Sequence, residues 1–277
     1  MKLFTSIRKF LLQVIITFTV FSFFTISYAG HTWNNYHWAR TANPFTLLVV
    51  DSVTADWSNE LNTALSKWSI STVLDLEITA TDNSRKSRKR CPTIKGQMRV
   101  CNDNYGANGW LGLASIGLDS FGHIDRGRAM MNDTYSSYWD ITGEKNHVMC
   151  QEIGHVLGLG HTSEDGSSQQ TCMDYSSDPN SQWPNQHDYD QLLSIYSDTD
   201  PYNSYDAGNT GGGGDSGGGT GCNAPPGKGC NKAVPEIPPM GVRVHRGHNH
   251  ELWVASRPDG GLWINFVRLV PEEYDTR

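Results

Sequence analysis

Apolar positions along the chain switch between two spacings, and the switches mark out its elements. A continuous apolar, β-branched run from Phe45 to Val50 predicts a strand; after Asp51, the residues Trp57, Leu61, Leu65 and Trp68 recur at helical spacing and predict an amphipathic helix over 53–69. Val73 to Ala80 reads as a second strand, and Cys91 to Cys101 as a hairpin carrying the basic run Arg85 to Arg90, a solvated loop or a processing site. Trp110 to Ile116 and Arg128 to Asn132 are further strands. Helical pattern returns at Lys145 and stops at Gly158, a glycine where the chain must leave the helix. A last helix runs from Asn185 to Tyr196, with Asp188 three residues after an asparagine cap. Elements of this kind make an α+β domain.

The pattern then lapses. Between Ser204 and Gly221 glycine, serine, threonine and aspartate dominate, a composition that cannot pack and acts as a tether. Beyond it, Glu251 to Ala255 and Leu262 to Val270 flank Arg257 to Gly261, a hairpin signal. About forty residues give only a marginal core, so this tail is either a small β module or a hairpin docked on the main domain. At the other end, Lys2, Arg8 and Lys9 precede an apolar run from Phe10 to Ile26, with small residues at Ser27 and Ala29 before Gly30: a secretory signal peptide, or an uncleaved anchor. The expected organisation is a signal peptide over 1–29, a catalytic-sized domain over 30–203, a Gly-rich linker over 204–235, and a β-hairpin module over 236–277. No internal repeat is present.

Export changes how the cysteines read. The six of this 277-residue chain fall as three close pairs, Cys91 with Cys101, Cys150 with Cys172 and Cys222 with Cys230, which in an oxidising compartment predict three local disulfides. No C-x-x-C spacing supports zinc thiolates instead. A formal net charge of −7 argues against a nucleic-acid binder.

Candidate chemistry sits on the second helix. Positions 151 and 155 lie on one helical face, and Gly158 lets the chain turn so that His161 joins them. Three converging groups bind one metal; catalytic zinc takes three protein ligands and keeps a water, for which Glu152 is placed as general base. These residues resemble the metzincins, and within them the matrixins, whose signature H-E-x-x-H-x-x-G-x-x-H precedes a methionine turn. Glu152, His155, Gly158 and His161 match the motif. Thr171 to Tyr175 looks like the turn, with Met173 under the metal; Gln186 to Tyr196 looks like the third helix, and Gly112 to Ala114 lies where the family has its substrate-binding edge strand. The likeness covers roughly Trp38 to Tyr196. It implies a zincin-like domain with a twisted mixed sheet, an active-site helix and a C-terminal helix. It also implies one catalytic Zn2+ held by His155, His161 and position 151, and protein or peptide substrates; removal of the signal peptide would leave a secreted protein with no stable membrane association, its oligomeric state open and a monomer expected.

Gln151 departs from this pattern, since the family has histidine there. An amide oxygen is a poorer zinc ligand than imidazole. Three readings stand open: Gln151 ligates through its oxygen; His147, about 6 Å away along a regular helix, substitutes; or the chain is a pseudo-protease that binds without cleaving. Tyr175 is either an oxyanion donor or a buried tyrosine of the domain floor. A Cys150–Cys172 bond would pin the helix to the methionine turn. The matrixin latency cysteine is absent, Cys91 before Pro92 being only a superficial echo of it. His123, Asp125, Asn132 and Asp133 are candidates for a structural Ca2+ or zinc. His245, His248 and His250 read as solvent-exposed hairpin histidines or a metal cluster, and Trp253 and Trp263 as core or as a carbohydrate- or protein-binding face.

Overall fold

The computed structural model describes residues 31–205 and 235–275. The expected signal segment and almost all of the Gly-rich segment, including Cys222 and Cys230, lie outside the described residues. In chain order the elements are β1 (Phe45–Ser52), α1 (Ser58–Trp68), β2 (Leu74–Thr81), α2 (Arg85–Arg90), β3 (Gln97–Asp103), β4 (Trp110–Leu118), β5 (Ile124–Asn132), α3 (Ser136–Trp139), α4 (Glu144–Val156), α5 (Gln186–Ile195), β6 (Val242–Arg246), β7 (His250–Ser256) and β8 (Leu262–Leu269). The strands form one eight-stranded mixed sheet of order β2-β1-β3-β5-β4-β8-β7-β6. β2, β1, β3 and β5 are mutually parallel neighbours, whereas β4 runs antiparallel to both β5 and β8. The architecture is α+β.

The apolar run of β1 is buried along most of its length, as a strand flanked by parallel neighbours requires. In α1 the residues Leu61, Ala64, Leu65 and Trp68 form the inward stripe, and the Trp68 indole donates to the Cys150 carbonyl at 3.1 Å, fastening α1 to α4. Trp38 does the same at the other end of α4, donating to Val156 O at 3.0 Å. α4 is buried almost all round, between α1 and the β4–β5 pair. α5 starts at the expected cap: the Asn185 side chain accepts from His187 N–H, and Asp188 accepts from Asn185 N–H.

Two expectations change. The basic run is the helix α2, capped by the Ser84 hydroxyl accepting from Ser87 N–H; the segment from Cys91 to Cys101 is not a hairpin but the link from α2 into β3, closed by a disulfide. The tail takes the docked form. It has three strands, and β8 lies along the whole of β4, pairing Trp110 with Leu269 through to Leu118 with Leu262. Trp263, Ile264, Phe266 and Val267 are buried there, so the tail shares the core of the domain. Arg257 anchors its turn in a buried ion pair with Asp125 at 2.9 Å and lies over the Trp263 ring. No helix of the described residues is long and apolar enough to cross a membrane.

Gly158 leaves α4 at φ +100°, where a Cβ would sit 2.1 Å from the Tyr36 carbonyl oxygen. Gly158→Ala therefore combines a left-handed backbone with a backbone clash, and a loss of about 2–4 kcal/mol is expected in urea unfolding. A change within experimental error would mean that the 31–37 segment is free to move away.

Candidate active site

α4 presents Gln151, Glu152 and His155 to the underside of the sheet, and the turn at Gly158 returns the chain so that His161 faces His155. The two Nε2 atoms are 3.0 Å apart. Their outer nitrogens are both held: His155 Nδ1 donates to the Leu159 carbonyl at 2.8 Å, and His161 Nδ1 lies 3.4 Å from Glu164 Oε1. A proton on His155 Nδ1 leaves a lone pair on Nε2. Burial pushes both imidazoles well below the usual histidine range, each further lowered by neighbouring positive or imidazole groups, so both are neutral donors. The Tyr175 hydroxyl is 2.8 Å from His161 Nε2.

Glu152 lies one turn before His155 on α4, 1 % exposed, and neither carboxyl oxygen has a side-chain hydrogen-bond partner. Burial pushes its pKa up to about 8, and the positive charge of Arg268 and the backbone N–H of Ala114 only partly oppose this. It reaches the sheet at Gly112, where a Cβ would fall 2.3 Å from its Oε1; only glycine leaves room for the carboxyl under β4. Below α4, Gly154 plays the same part for Met173, whose sulfur would stand 2.4 Å from a Cβ there. The Cys150–Cys172 disulfide ties α4 to this turn.

Gln151 does not face the imidazoles freely. Its Nε2 donates to the Asp174 carbonyl at 2.9 Å, and its Oε1 accepts from Arg268 at 3.0 Å; only this amide orientation satisfies both partners. His147 also donates to Asp174 O, at 2.9 Å, so it shares this carbonyl with Gln151.

The tail also supplies groups to the site. β4 is not a free edge, because β8 covers it and carries Phe266 and Arg268 into the site. Phe266 stacks on the His155 ring at 4.6 Å and 9°. Arg268, fully buried, reaches Glu144 at 3.5 Å as well as Gln151, and its guanidinium lies over the Tyr175 ring. Burial opposes its charge, but Tyr138, Glu144 and Tyr175 more than offset this and raise its pKa. His250, expected to be exposed, is buried 3.4 Å from Glu164, with its ring parallel to Tyr175; His161, Glu164 and His250 form a second donor group on the outer side of His161. Alternation in β8 held the one available signal: Ile264, Phe266 and Arg268 share a face, and an arginine on an apolar stripe calls for a buried partner.

The expected oxygen-rich metal loop is not assembled. Asp125 is engaged by Arg126 and Arg257, Asn132 by the 104–110 turn, and Asp133 by the Trp57 indole and Asn102, while His123 faces elsewhere. Nothing there supports calcium. Trp253 is half-buried against Arg243 and Trp263 is core, which leaves no paired aromatic face.

No family model matches the chain, and no curated protein does. Among solved structures, the crystal structure of archaemetzincin (AmzA) from Archaeoglobus fulgidus complexed with malonate is similar at 21% identity, covering 53% of this chain and 99% of that one, with a TM-score of 0.30. So low a score transfers neither fold nor function, and the site stands on its own geometry.

That geometry fits a metal in part. Donor atoms about 2.0–2.1 Å from a tetrahedral zinc are roughly 3.3 Å from one another. The 3.0 Å between two neutral imidazoles with anchored outer nitrogens is close to that spacing, and a buried carboxyl with no side-chain partner lies one turn before His155. The third donor is not in place while Arg268 holds the Gln151 oxygen.

Proposed function

We propose that this chain is a secreted zinc-dependent endopeptidase whose substrate cleft is closed by its own C-terminal strand. The observation that carries this reading is the convergence of the His155 and His161 Nε2 atoms, with the buried carboxyl of Glu152 one turn before His155 and without a side-chain partner. His155, His161 and Gln151 would hold the metal, which when bound supplies a Lewis acid for the scissile carbonyl and lowers the pKa of a water. Glu152, whose pKa burial raises to about 8 in the metal-free chain, would accept a proton from that water and return it to the leaving amine once the charge of a bound cation had favoured its carboxylate form. The Tyr175 hydroxyl, beside His161, is positioned to donate to a developing oxyanion. β4 would orient an extended peptide through its backbone only once β8, which holds that register, had been displaced. The two disulfides among the described residues support export.

One observation favours the rival reading, a binding protein on a protease scaffold: the Arg268 guanidinium occupies the oxygen of the third donor. Zinc content by elemental mass spectrometry, with hydrolysis of a quenched casein in the same samples, separates the two. Zinc and cleavage in the full chain, both lost in His155→Ala, are expected. Zinc and cleavage absent from the wild type and restored by Gln151→His would establish a disarmed protease.

A further inference from the structure

Three segments remote in sequence meet at a second group of donors, away from α4. His37 comes from the entry to the domain, His123 from the β4–β5 turn, and Asp200 from the segment after α5. Their ligating atoms all lie within 4.8 Å of one another. His123 Nε2 is 3.2 Å from Asp200 Oδ1, and His37 Nε2 is 3.4 Å from Oδ2 and 3.5 Å from Oδ1. These separations are close to the roughly 3.3 Å that neighbouring ligands of a tetrahedral zinc adopt.

The tautomers follow from the outer partners. His37 Nδ1 is 2.7 Å from the Asn35 carbonyl, which can only accept, so this nitrogen carries the proton. His123 Nδ1 is 2.8 Å from the Tyr202 hydroxyl, and Tyr202 donates its own proton to Asp119. The Tyr202 oxygen is thus the acceptor, and His123 Nδ1 is protonated too. Each ring therefore turns its Nε2 toward a carboxylate. A lone pair facing a carboxylate is repulsive, so a cation belongs between them: either a second proton on each ring, or one metal ion shared by all three side chains. Asp200 is prepared for the second arrangement. Its Oδ2 accepts from Arg40 N–H at 3.0 Å and from the Arg40 guanidinium at 2.9 Å, which fixes the carboxylate and leaves Oδ1 to face the histidines. Imidazole nitrogens fixed by carbonyl and carboxylate-linked partners, with a carboxylate beside them, are the usual surroundings of a bound transition metal.

We propose that His37, His123 and Asp200 form a structural site for a divalent transition metal of the zinc class, with an open position for water. The ion would clamp the entry segment, the β4–β5 turn and the segment after α5 together. This site does not rest on the peptidase reading.

The test uses the full chain carrying His155→Ala and His161→Ala, so that the α4 pair cannot contribute. After loading with zinc sulfate and passage through metal-depleted buffer, about one zinc per chain should remain. Adding Asp200→Asn or His123→Gln should remove it, and Tyr202→Phe should weaken zinc binding by about tenfold in a chelator competition. Cobalt loading should give the visible absorption of a tetrahedral nitrogen–oxygen site, lost in Asp200→Asn. Circular dichroism confirms that each variant is folded; in the wild-type background Asp200→Asn should lower the zinc count by about one. Absence of retained zinc in the double variant and no decrement in the wild-type background, or zinc undiminished by both Asp200→Asn and His123→Gln, would overturn the proposal and leave protonated histidine–aspartate pairs.

Discussion

Glu152→Gln is expected to lower peptide hydrolysis by about 10²–10⁴-fold, the range for loss of a general base, while making the metal-free protein more stable. The two effects have one cause. Glu152 is held in the interior without a side-chain hydrogen-bond partner, and burial raises its pKa from the ordinary glutamate value of 4.5 to about 8. As pH rises through 4.5 the unfolded chain gives up this proton first, and the folded protein keeps it until about pH 8. In that window the unfolded state binds fewer protons, so stability falls with pH and levels off above about 8. At about 1.4 kcal/mol per unit the cost reaches several kcal/mol, subject to relaxation of the site. Glutamine carries no such term. Urea midpoints of metal-free wild type and Glu152→Gln should therefore nearly coincide at pH 4 and diverge up to pH 8 in favour of the variant. A difference that stays constant with pH would show that this carboxyl is not held protonated. A buried carboxyl held at this cost points to a chemical role.

Removing Arg268 and Glu144 as charges together, in Arg268→Met with Glu144→Gln, is expected to raise zinc affinity by about 30-fold or more. A guanidinium near a bound dication costs on the order of 2–4 kcal/mol even at an effective dielectric of 20. Its departure also frees the Gln151 oxygen. The double change is needed because losing one partner of the buried pair leaves the other uncompensated, at about 3–5 kcal/mol. Affinity is read by competition with a chromophoric chelator, and casein hydrolysis should rise in parallel. Unaltered affinity in a folded double variant would mean that Arg268 has no guarding role and that Gln151 is not a ligand.

Much of the domain was legible because its signals are local. The β1 run, the Leu61–Leu65–Trp68 stripe and the Asn185–Asp188 cap each specify an element within a dozen residues. Gly158 announced the turn that brings His161 back to His155. The helix α2 was missed because six residues of lysine, arginine and serine carry no apolar periodicity; its only cue is Ser84, which caps it. The cover on β4 was missed for a different reason. Strand pairing over a sequence separation of 150 residues, as between Ser115 and Asn265, leaves no mark in either segment alone. Arg268 shares the face of Ile264 and Phe266 and so calls for a buried partner, but only the pairing register makes that partner Gln151. The oxygen-rich residues Asp125 and Asp133 suggested a metal loop because their true partners, Arg257 and Trp57, are likewise distant in sequence.

The position of β8 also sets an order of assembly. β1 to β5 and α4 lie within one stretch of chain and pair with near neighbours, whereas the β4–β8 ladder must wait for a loop of well over a hundred residues to close. Such non-local pairing is slow to form, and until it does β4 presents an unpaired edge lined by Leu113, Ala114 and Ile116. Refolding should therefore pass through a state in which Glu152 and the two histidines are assembled but uncovered, and which is prone to capture any extended segment that reaches β4 before the chain's own.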